Sequence, residues 1–356
     1  MDKIAKGLYV KVEYADSDIT AQLERYLTNL TYTDYLDGKT PDTLKVTLED
    51  SQGLFQGQFY PVKGSALYFE FGYDTNEVFK SGKGFLIDAI TVNGGNNSGG
   101  GGSTADAVEW TACANLPSHG IHSKATKAWT DTTLEGIARE ISKKHKMDLV
   151  FECKKTISLK RFTQFEQTDL KTINELTRKY GLLFSIKAGK DRATMVIADL
   201  DTLRSKPPLL KLFKSDCTSY SFSDSAERNT KGRYVRYFDS VKKELVEFDS
   251  ERLKTKQADG LTDSMLDTLE GQGQQDIAIE REALEVYAQK DDPKDYERTA
   301  RISLPGNPNL LAGVVLELPE DEWLYNAGKW VITESQHVIT VSGGYKTTLA
   351  LKIYKR

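Results

Sequence analysis

The chain has 356 residues, of which 39% are hydrophobic and 28% are charged. This length exceeds the roughly 100 to 200 residues that one hydrophobic core usually organises, so we expect two or three packed units. The composition excludes an intrinsically disordered chain. A formal net charge of −4 gives no basic field for nucleic acid or for an anionic membrane surface, so recognition of nucleic acid is not expected.

The first residues do not have the pattern of a signal peptide, because apolar and polar residues alternate over 4–12. No apolar run approaches the ~20 residues that a membrane-spanning helix needs. We therefore expect synthesis in the cytoplasm and no membrane insertion. The three cysteines, Cys113, Cys153 and Cys217, are odd in number and widely spaced, which predicts buried free thiols and no disulfide framework.

Residues 1–122 predict a first β domain. Apolar side chains recur at every second position in several short segments that turn residues separate, which is typical of a small barrel or sandwich. The predicted strands are 8–14, 44–48, 67–73, 85–92 and 108–112.

Residues 123–200 change to a helical period and predict an inserted α/β domain. Leu134, Ile137 and Ile141 lie on one helical face, and Thr132 and Glu135 have the spacing of a capping box. The remaining elements are a second helix carrying Leu170, Ile173, Leu176 and Tyr180, its end at Gly181, and strands at 149–151, 182–186 and 194–197.

Residues 201–242 and 298–356 predict a second, similar β domain. A charged, Gln-rich insertion over 243–297 interrupts it and contains a helix with Ile279, Ala283, Val286 and Tyr287 on one face. The predicted strands are 219–222, 234–238, 300–304, 314–318, 330–333, 337–341 and 349–353. The expected fold class is thus α+β and mainly β, with two similar β-barrel domains, an inserted small α/β domain and a helical excursion.

A glycine-rich run over 94–103 invites comparison with a phosphate-binding loop. No Lys-Ser or Lys-Thr follows it, and it precedes a strand instead of a helix, so its amides have no helix dipole behind them. We interpret it as a hairpin tip.

Cys113, His119 and His122 place three zinc-capable side chains within ten residues. A structural zinc site needs a fourth ligand, and none is evident, so we expect neither a metal nor another cofactor. His145 and His337 are interpreted as structural residues, with His145 on the solvent side of its helix.

The carboxylate pairs Asp131 with Glu135 and Glu166 with Asp169 resemble the acid pairs of glycosidases. Simpler roles are available, because Asp131 and Asp169 lie at predicted helix starts, where a negative charge meets the positive end of the dipole. The acidic run 320–322 is assigned to a loop. No Gly-x-Ser-x-Gly elbow occurs, and we expect no catalytic site.

Two motif strings carry a resemblance to a known family. The first runs from Arg-Ile-Ser-Leu-Pro-Gly-Asn-Pro-Asn-Leu at 301–310 to Gly-Tyr-Lys-Thr-Thr-Leu at 344–349 and contains Gly306, Asn307, Pro308, Gly313, His337, Gly344, Tyr345 and Thr347. The second runs from Gln-Phe-Glu-Gln-Thr-Asp-Leu at 164–170 to Arg-Lys-Tyr-Gly at 178–181 and contains Asp169, Leu170, Tyr180 and Gly181.

These strings resemble the late-control D proteins of contractile phages, which share a hub fold with the amino-terminal part of type VI secretion spike proteins. The resemblance implies a structural baseplate hub, in which three copies form a pseudo-sixfold ring between the central spike and the tail tube. It also implies contacts with other baseplate proteins and a place in the virion tail or in a phage-tail-like particle. Because no spike-like repeat follows the second β domain, we expect the spike to be a separate chain.

Within this resemblance the motif residues have structural roles only. Gly306, Pro308 and Gly313 are expected to shape a turn, Gly344 and Tyr345 to start a hairpin, and Asp169 and Gly181 to mark the ends of a helix.

Two alternatives remain open at the level of sequence. One is a carbohydrate-binding tail module that uses Trp323 and Tyr325 as exposed aromatics on a loop. The other is a peptidoglycan-degrading tail enzyme that uses Glu166 or Asp169. The sequence also leaves open whether the particle is a phage, a prophage-derived bacteriocin or an injection system.

Overall fold

The structure is a computed structural model. It describes residues 7–36, 41–73, 77–82, 84–95, 104–114, 121, 123–154, 156–188, 192–224, 234–239, 244–249, 296–340 and 343–355. The predicted hairpin tip at 96–103, the zinc candidates His119 and His122, and the predicted helix through Ile279 and Tyr287 lie outside these residues.

The amino-terminal part is a set of antiparallel strands. They are β1 (Leu8–Tyr14), β2 (Ser17–Asp18), β3 (Leu27–Tyr35), β4 (Thr43–Glu49), β5 (Ala66–Tyr73), β6 (Glu77–Lys80), β7 (Phe85–Gly95) and β8 (Thr104–Ala114), with a short helix α1 (Thr20–Leu23) after β2. The five predicted strands are confirmed. The sequence missed β3 because its buried residues include Thr33 and Asp34, which break the apolar alternation.

One hydrophobic cluster fills this first β unit. Val12, Leu30, Val46, Phe69 and Trp110 come from five different strands and are all buried in it. Side chains on one face of so many strands can meet only if the sheet curls around them.

The α/β unit contains β9 (Lys124–Thr133), α2 (Leu134–Lys144), β10 (Asp148–Glu152), β11 (Ser158–Thr168), α3 (Asp169–Lys179), β12 (Leu183–Ala188), β13 (Ala193–Ala198) and α4 (Leu200–Arg204). Strands β10, β13 and β12 form a three-stranded sheet, and β9 pairs with β11 in a second, two-stranded sheet. The sequence missed β9 and β11 because they are largely polar: in β9 only Trp129 is buried.

The start of α2 differs from the prediction. Thr133, and not Thr132, is the capping residue, and its Oγ1 accepts a hydrogen bond from the Gly136 amide at 3.0 Å. Asp131 lies in β9 with φ of +46°, outside the helix, so its assignment to the helix start was wrong. Glu135 forms an ion pair with Arg139 one turn later in place of a capping box.

The carboxy-terminal part contains β14 (Leu210–Lys211), β15 (Ser219–Asp224), β16 (Tyr234–Asp239), β17 (Glu244–Asp249), β18 (Tyr296–Pro305), β19 (Val315–Leu318), α5 (Glu320–Trp323), β20 (Gly328–Thr340) and β21 (Gly344–Lys355). The two strands predicted at 330–333 and 337–341 are one strand, β20, whose register shifts between Ile332 and Glu334. The acidic run 320–322 is helical, and not a loop as predicted. A second cluster around Trp330, Ile302 and Leu351 forms the core of this unit.

The two β units share one continuous sheet. Its strand order is β15-β18-β21-β20-β3-β4-β8-β7-β5-β1-β2, and β20 pairs with β3 from Glu334 opposite Tyr35 to Thr340 opposite Asn29. The sequence did not predict this pairing between distant strands. The predicted fold class, mainly β with a small α/β part, is confirmed.

Two expectations concern membranes and thiols. Among the described residues, no helix combines the length and the apolar character that crossing a bilayer requires. All three cysteines are free, as predicted, but each is partly exposed and not buried as predicted.

The end of α3 generates a testable prediction. Gly181 follows the helix with φ of +58°, a conformation in which a Cβ costs roughly 1 to 2 kcal/mol. We expect Gly181→Ala to lower the free energy of unfolding by about that amount. Gly181→Asn is the matched control, because Asn tolerates this conformation better, and it should lose less. Equal melting temperatures for the Ala variant and the wild type would contradict the assignment.

Candidate functional site

Three buried polar clusters stand out, and the first lies where the three units meet. We call Lys187, Asp34 and Asp42 the junction cluster. The Lys187 ammonium at the end of β12 contacts the Asp34 carboxylate and lies 2.9 Å from Asp42 Oδ1. It also donates to the carbonyl oxygen of Tyr35 at 2.5 Å. A lysine of the α/β unit thus contacts two aspartates of the first β unit.

The same aspartates have further backbone partners. Asp34 Oδ2 accepts a hydrogen bond from the Ala312 amide at 2.8 Å, and Asp42 Oδ1 accepts one from the Tyr35 amide at 2.9 Å. Ala312 belongs to the segment before β19, in the second β unit. Because Asp34 is only 3% exposed and Asp42 only 1%, these contacts replace their lost hydration. The junction cluster therefore connects all three units.

Two carboxylates share one ammonium in this cluster, which favours a proton on one of them. Burial raises the pKa of Asp42 to about 8, and the Asp34 charge adds to this effect, while Lys187 opposes it. Burial acts to lower the pKa of Lys187, but attraction by Asp34 and Asp42 outweighs it, and the pKa rises. Tyr32 beside them has a raised pKa, because of burial first and of both carboxylates next.

The second cluster lies between β20 and β21, and we call Ser335, His337, Tyr345 and Thr347 the histidine cluster. His337 Nδ1 is 2.7 Å from the Tyr345 hydroxyl and 3.3 Å from Thr347 Oγ1, while Nε2 is 2.9 Å from Ser335 Oγ. The His337 ring also stacks on Tyr32 of β3, with centroids 6.0 Å apart. Motif residues of the second β unit thus pack against the first.

The hydrogen bonds of Ser335 fix the direction of this network. Its hydroxyl donates to the carbonyl of Leu310, so Ser335 Oγ must accept from His337 Nε2–H, and Nδ1 accepts from Tyr345. Burial lowers the pKa of His337 to about 4, against a smaller raising effect of Asp34 and of the Leu310 hydrogen bond. A serine that accepts a hydrogen bond from its histidine is not activated as a nucleophile.

Glycine at position 306 is required by this cluster. A Cβ at Gly306 would lie 2.1 Å from ring carbons of Tyr345, and the Gly306 amide donates to the Tyr345 carbonyl at 2.8 Å. The next amide, of Asn307, donates to Thr347 Oγ1 at 2.9 Å. The structure therefore brings together Gly306, Asn307, His337, Tyr345 and Thr347, which the sequence separates by up to 41 positions.

The third cluster surrounds Asp169 in the α/β unit. Its Oδ2 accepts from Lys144 Nζ and His145 Nε2, both at 2.7 Å, and its Oδ1 accepts from Gln164 Nε2 at 2.9 Å. Burial acts to raise the pKa of Asp169, but the hydrogen bonds from Lys144, Gln164 and His145 lower it overall. His145 is only 3% exposed, so its assignment to the solvent side of the helix was wrong.

The other motif residues occupy structural positions. Tyr180 is fully buried at the end of α3, and Leu170 packs on the α/β core. Pro308 is buried in the turn after β18, and Gly313 and Gly344 have φ of +92° and +72°. Gly344 begins β21 after the turn from β20.

Two of the residues named for the alternative functions, Trp323 and Asp169, are buried, whereas Tyr325 and Glu166 are exposed. Trp323 is 3% exposed, packs in the second β core and donates from Nε1 to the carbonyl of Leu212, so it is not a sugar-stacking surface. Hydrogen bonds from its neighbours lower the pKa of Asp169, whereas the general acid of a glycosidase needs a raised pKa. Within the described part of the chain, no three His, Cys, Asp or Glu side chains are grouped to hold a metal.

Comparison with known proteins adds the fold relationship. No protein-family model and no curated protein matches the sequence. The 43 kDa tail protein of prophage MuSo2 from Shewanella oneidensis matches with a TM-score of 0.62 at 10% identity, over 97% of this chain and 98% of that one. A tail protein from Neisseria meningitidis MC58 matches with a TM-score of 0.61 at 11% identity, over 98% and 97%.

A third similar structure comes from a secretion machine. The E. coli c3393 protein matches with a TM-score of 0.53 at 10% identity, over 97% of this chain and 76% of that one. It is described as a component of the type VI secretion system with structural similarity to the bacteriophage T4 tail proteins gp27 and gp5. The chain therefore has the fold of phage tail and type VI secretion proteins, and the predicted resemblance is confirmed at the level of fold.

The sequence missed the junction cluster entirely. Lys187 and Asp34 are 153 positions apart, and each lies in a short motif-free segment. No motif in the sequence marks Asp34 or Asp42 or identifies their partner.

The histidine cluster generates a prediction about Gly306. We expect Gly306→Ala to destabilise the chain by about 1 to 3 kcal/mol, because the new methyl group overlaps the Tyr345 ring and forces it to move. Asn309→Ala in the same turn is the control, since Asn309 is exposed. Unchanged thermal melting of Gly306→Ala would contradict the packing described above.

The junction cluster generates a prediction about pH. Because the folded-state pKa of Asp42 is raised to about 8, the folded chain holds a proton there that the unfolded chain, with a pKa near ~4, releases. The wild type therefore loses stability relative to Asp42→Asn as pH rises from about 5 to 8, by at most ~1.4 kcal/mol per pH unit. The measurement is the difference between the two melting curves at each pH.

The difference between the two melting curves also removes the effect of His337 on stability. The lowered pKa of His337 makes the folded state less stable as pH falls from about 6.5 towards 4, which is the opposite slope. His337 is present in both chains, so its contribution cancels. Parallel stability curves for wild type and Asp42→Asn would show that Asp42 holds no proton in this range.

Proposed function

We propose that this chain is a structural baseplate hub of a contractile phage tail or of a phage-tail-like injection system, and that it carries out no catalysis. The observation that carries the proposal is the end-to-end match to two tail proteins, in which 97% or more of each chain is covered. A match of this extent includes both β units and the α/β unit.

The architecture suits a part that transmits force. A single sheet runs through both β units across the pairing of β20 with β3, and the junction cluster connects the α/β unit to both. Buried, fully hydrogen-bonded polar groups favour one arrangement of the packed units, because any other arrangement leaves charges unpaired. A hub of this kind keeps its shape when load passes from spike to tube.

The proposed assembly is a homotrimer. Two β units in each of three copies give six β units around one axis, which reconciles a threefold spike with a sixfold tube. Its partners would be a separate spike protein, the tail tube or tube-initiator proteins, and other baseplate proteins. Its location would be the tail baseplate of a virion or of a tail-like particle, after assembly in the bacterial cytoplasm.

The absence of catalysis is proposed from how the polar residues are used. His337, Ser335, Asp169 and Asp34 are each buried, and each is engaged by neighbours within the protein. A general acid, base or nucleophile must reach a substrate, and these groups cannot.

The proposal predicts a defined stoichiometry. Light scattering of the purified chain over a concentration series should give the mass of a trimer, and addition of a candidate spike protein should give one complex of both. A chain that stays monomeric at every concentration, alone and with the spike, would overturn the proposed ring.

A peptidoglycan zymogram with a lysozyme control should show no clearing, and clearing would overturn the non-catalytic role.

A further inference from the structure

The exposed large apolar side chains include one group on each β unit. The first, which we call the loop patch, consists of Phe59, Tyr60 and Val62, which are 54%, 50% and 67% exposed. The second, the knuckle patch, consists of Leu324 and Tyr325, which are 75% and 64% exposed. Contiguous exposed apolar residues often mark a surface that binds another molecule.

The loop patch is held rigidly. The loop between β4 and β5 is anchored by Asp50, whose Oδ1 accepts from the Phe55 amide at 3.0 Å and whose Oδ2 accepts from Gln56 Nε2 at 3.2 Å. Asp50 itself is 2% exposed. At the far end, the Val62 amide donates to the Tyr14 hydroxyl at 3.0 Å. The loop thus presents its apolar side chains from a fixed backbone.

The knuckle patch is held under backbone strain. Leu324 has φ of +49°, which a residue with a bulky side chain rarely adopts. Its side chain faces solvent. Arg298, itself 3% exposed, stacks on the Tyr325 ring at 3.5 Å and donates from a guanidinium nitrogen to the Tyr325 carbonyl at 2.9 Å. Strain maintained in an exposed apolar turn points to a function for that turn.

Exposed charges of opposite sign lie beside the two patches, and the Arg298 guanidinium also lies on the Tyr325 ring. Lys63 is exposed next to Val62, and Glu320 and Asp321 are exposed one turn before Leu324. An apolar patch beside a positive charge binds one beside negative charges more favourably than it binds a copy of itself.

We propose that the loop patch of one copy binds the knuckle patch of the next copy, and that this contact closes the ring. The inference rests on the proposed trimer and adds the surfaces that build it. A ring with one copy per repeat needs two different complementary surfaces on each chain, because every interface is head-to-tail. Rigid aromatic and apolar anchors at the centre of such an interface carry most of the binding free energy, and the charged rim aligns it.

The first test breaks each patch separately. Phe59→Ser combined with Tyr60→Ser removes the loop patch, and Leu324→Gly removes the apolar side chain of the knuckle patch. Because glycine accepts a positive φ, Leu324→Gly should melt no lower than wild type while its trimer dissociates at a concentration at least about tenfold higher. Phe165→Ser is the control, since Phe165 is 58% exposed but lies on the α/β unit outside both patches. Its trimer should be unchanged.

Mixing the two variants tests which patches bind each other. The variant without the loop patch retains the knuckle patch, and the variant without the knuckle patch retains the loop patch. An equimolar mixture should therefore give two-chain particles by light scattering, and neither variant should give them alone. Lys63→Glu and Asp321→Lys should each weaken the trimer, and the double variant should recover most of the loss.

The outcomes separate this inference from the proposal that it rests on. A wild-type trimer that none of these variants weakens would overturn the assignment of the two patches and leave the hub proposal standing. A wild-type chain that is monomeric throughout would overturn both. Trimer loss in the patch variants, with normal melting and a two-chain particle in the mixture, would establish the contact.

Discussion

The contact of Lys187 with Asp34 and Asp42 is the interaction on which the arrangement of the three units depends. Breaking a buried ion pair by removing one partner costs about 3 to 5 kcal/mol, because a charge remains without solvent or partner. An arrangement that kept these groups buried but apart would bear a cost of this kind, and the observed one brings the lysine of β12 to both carboxylates and the Ala312 amide to Asp34. The cluster therefore specifies geometry more than it adds net stability.

The pairing of β20 with β3 adds a second constraint, set by the register of the sheet. His337 lies opposite Tyr32, and a slip of one residue would turn every side chain of β20 to the other face. The His337 side chain would then leave the interior. Register and polar contacts thus support the same arrangement, and such agreement between independent interactions favours a single native structure.

Where the sequence prediction failed, the buried residues were polar. Strand β3 was missed because Thr33 and Asp34 are buried in it, and β20 was divided in two because Thr333, Glu334 and Ser335 interrupt its apolar pattern. Burial of polar groups depends on partners elsewhere in the chain, which periodicity does not contain. The same limit applied to His145. The amphipathic pattern of its helix placed this side chain in solvent, whereas a hydrogen bond to Asp169 holds it in the interior.

The sequence by itself determined the local elements and the motif strings: the period of the apolar strands, the stripes of α2 and α3, the helix end at Gly181 and the turn around Gly306 and Pro308. These follow from steric and hydrophobic preferences that act over a few residues. Only the tertiary structure decided which units touch, that both β cores share one sheet, and that Lys187 meets aspartates about 150 residues away. Such contacts depend on packing and desolvation in three dimensions, which no local pattern records.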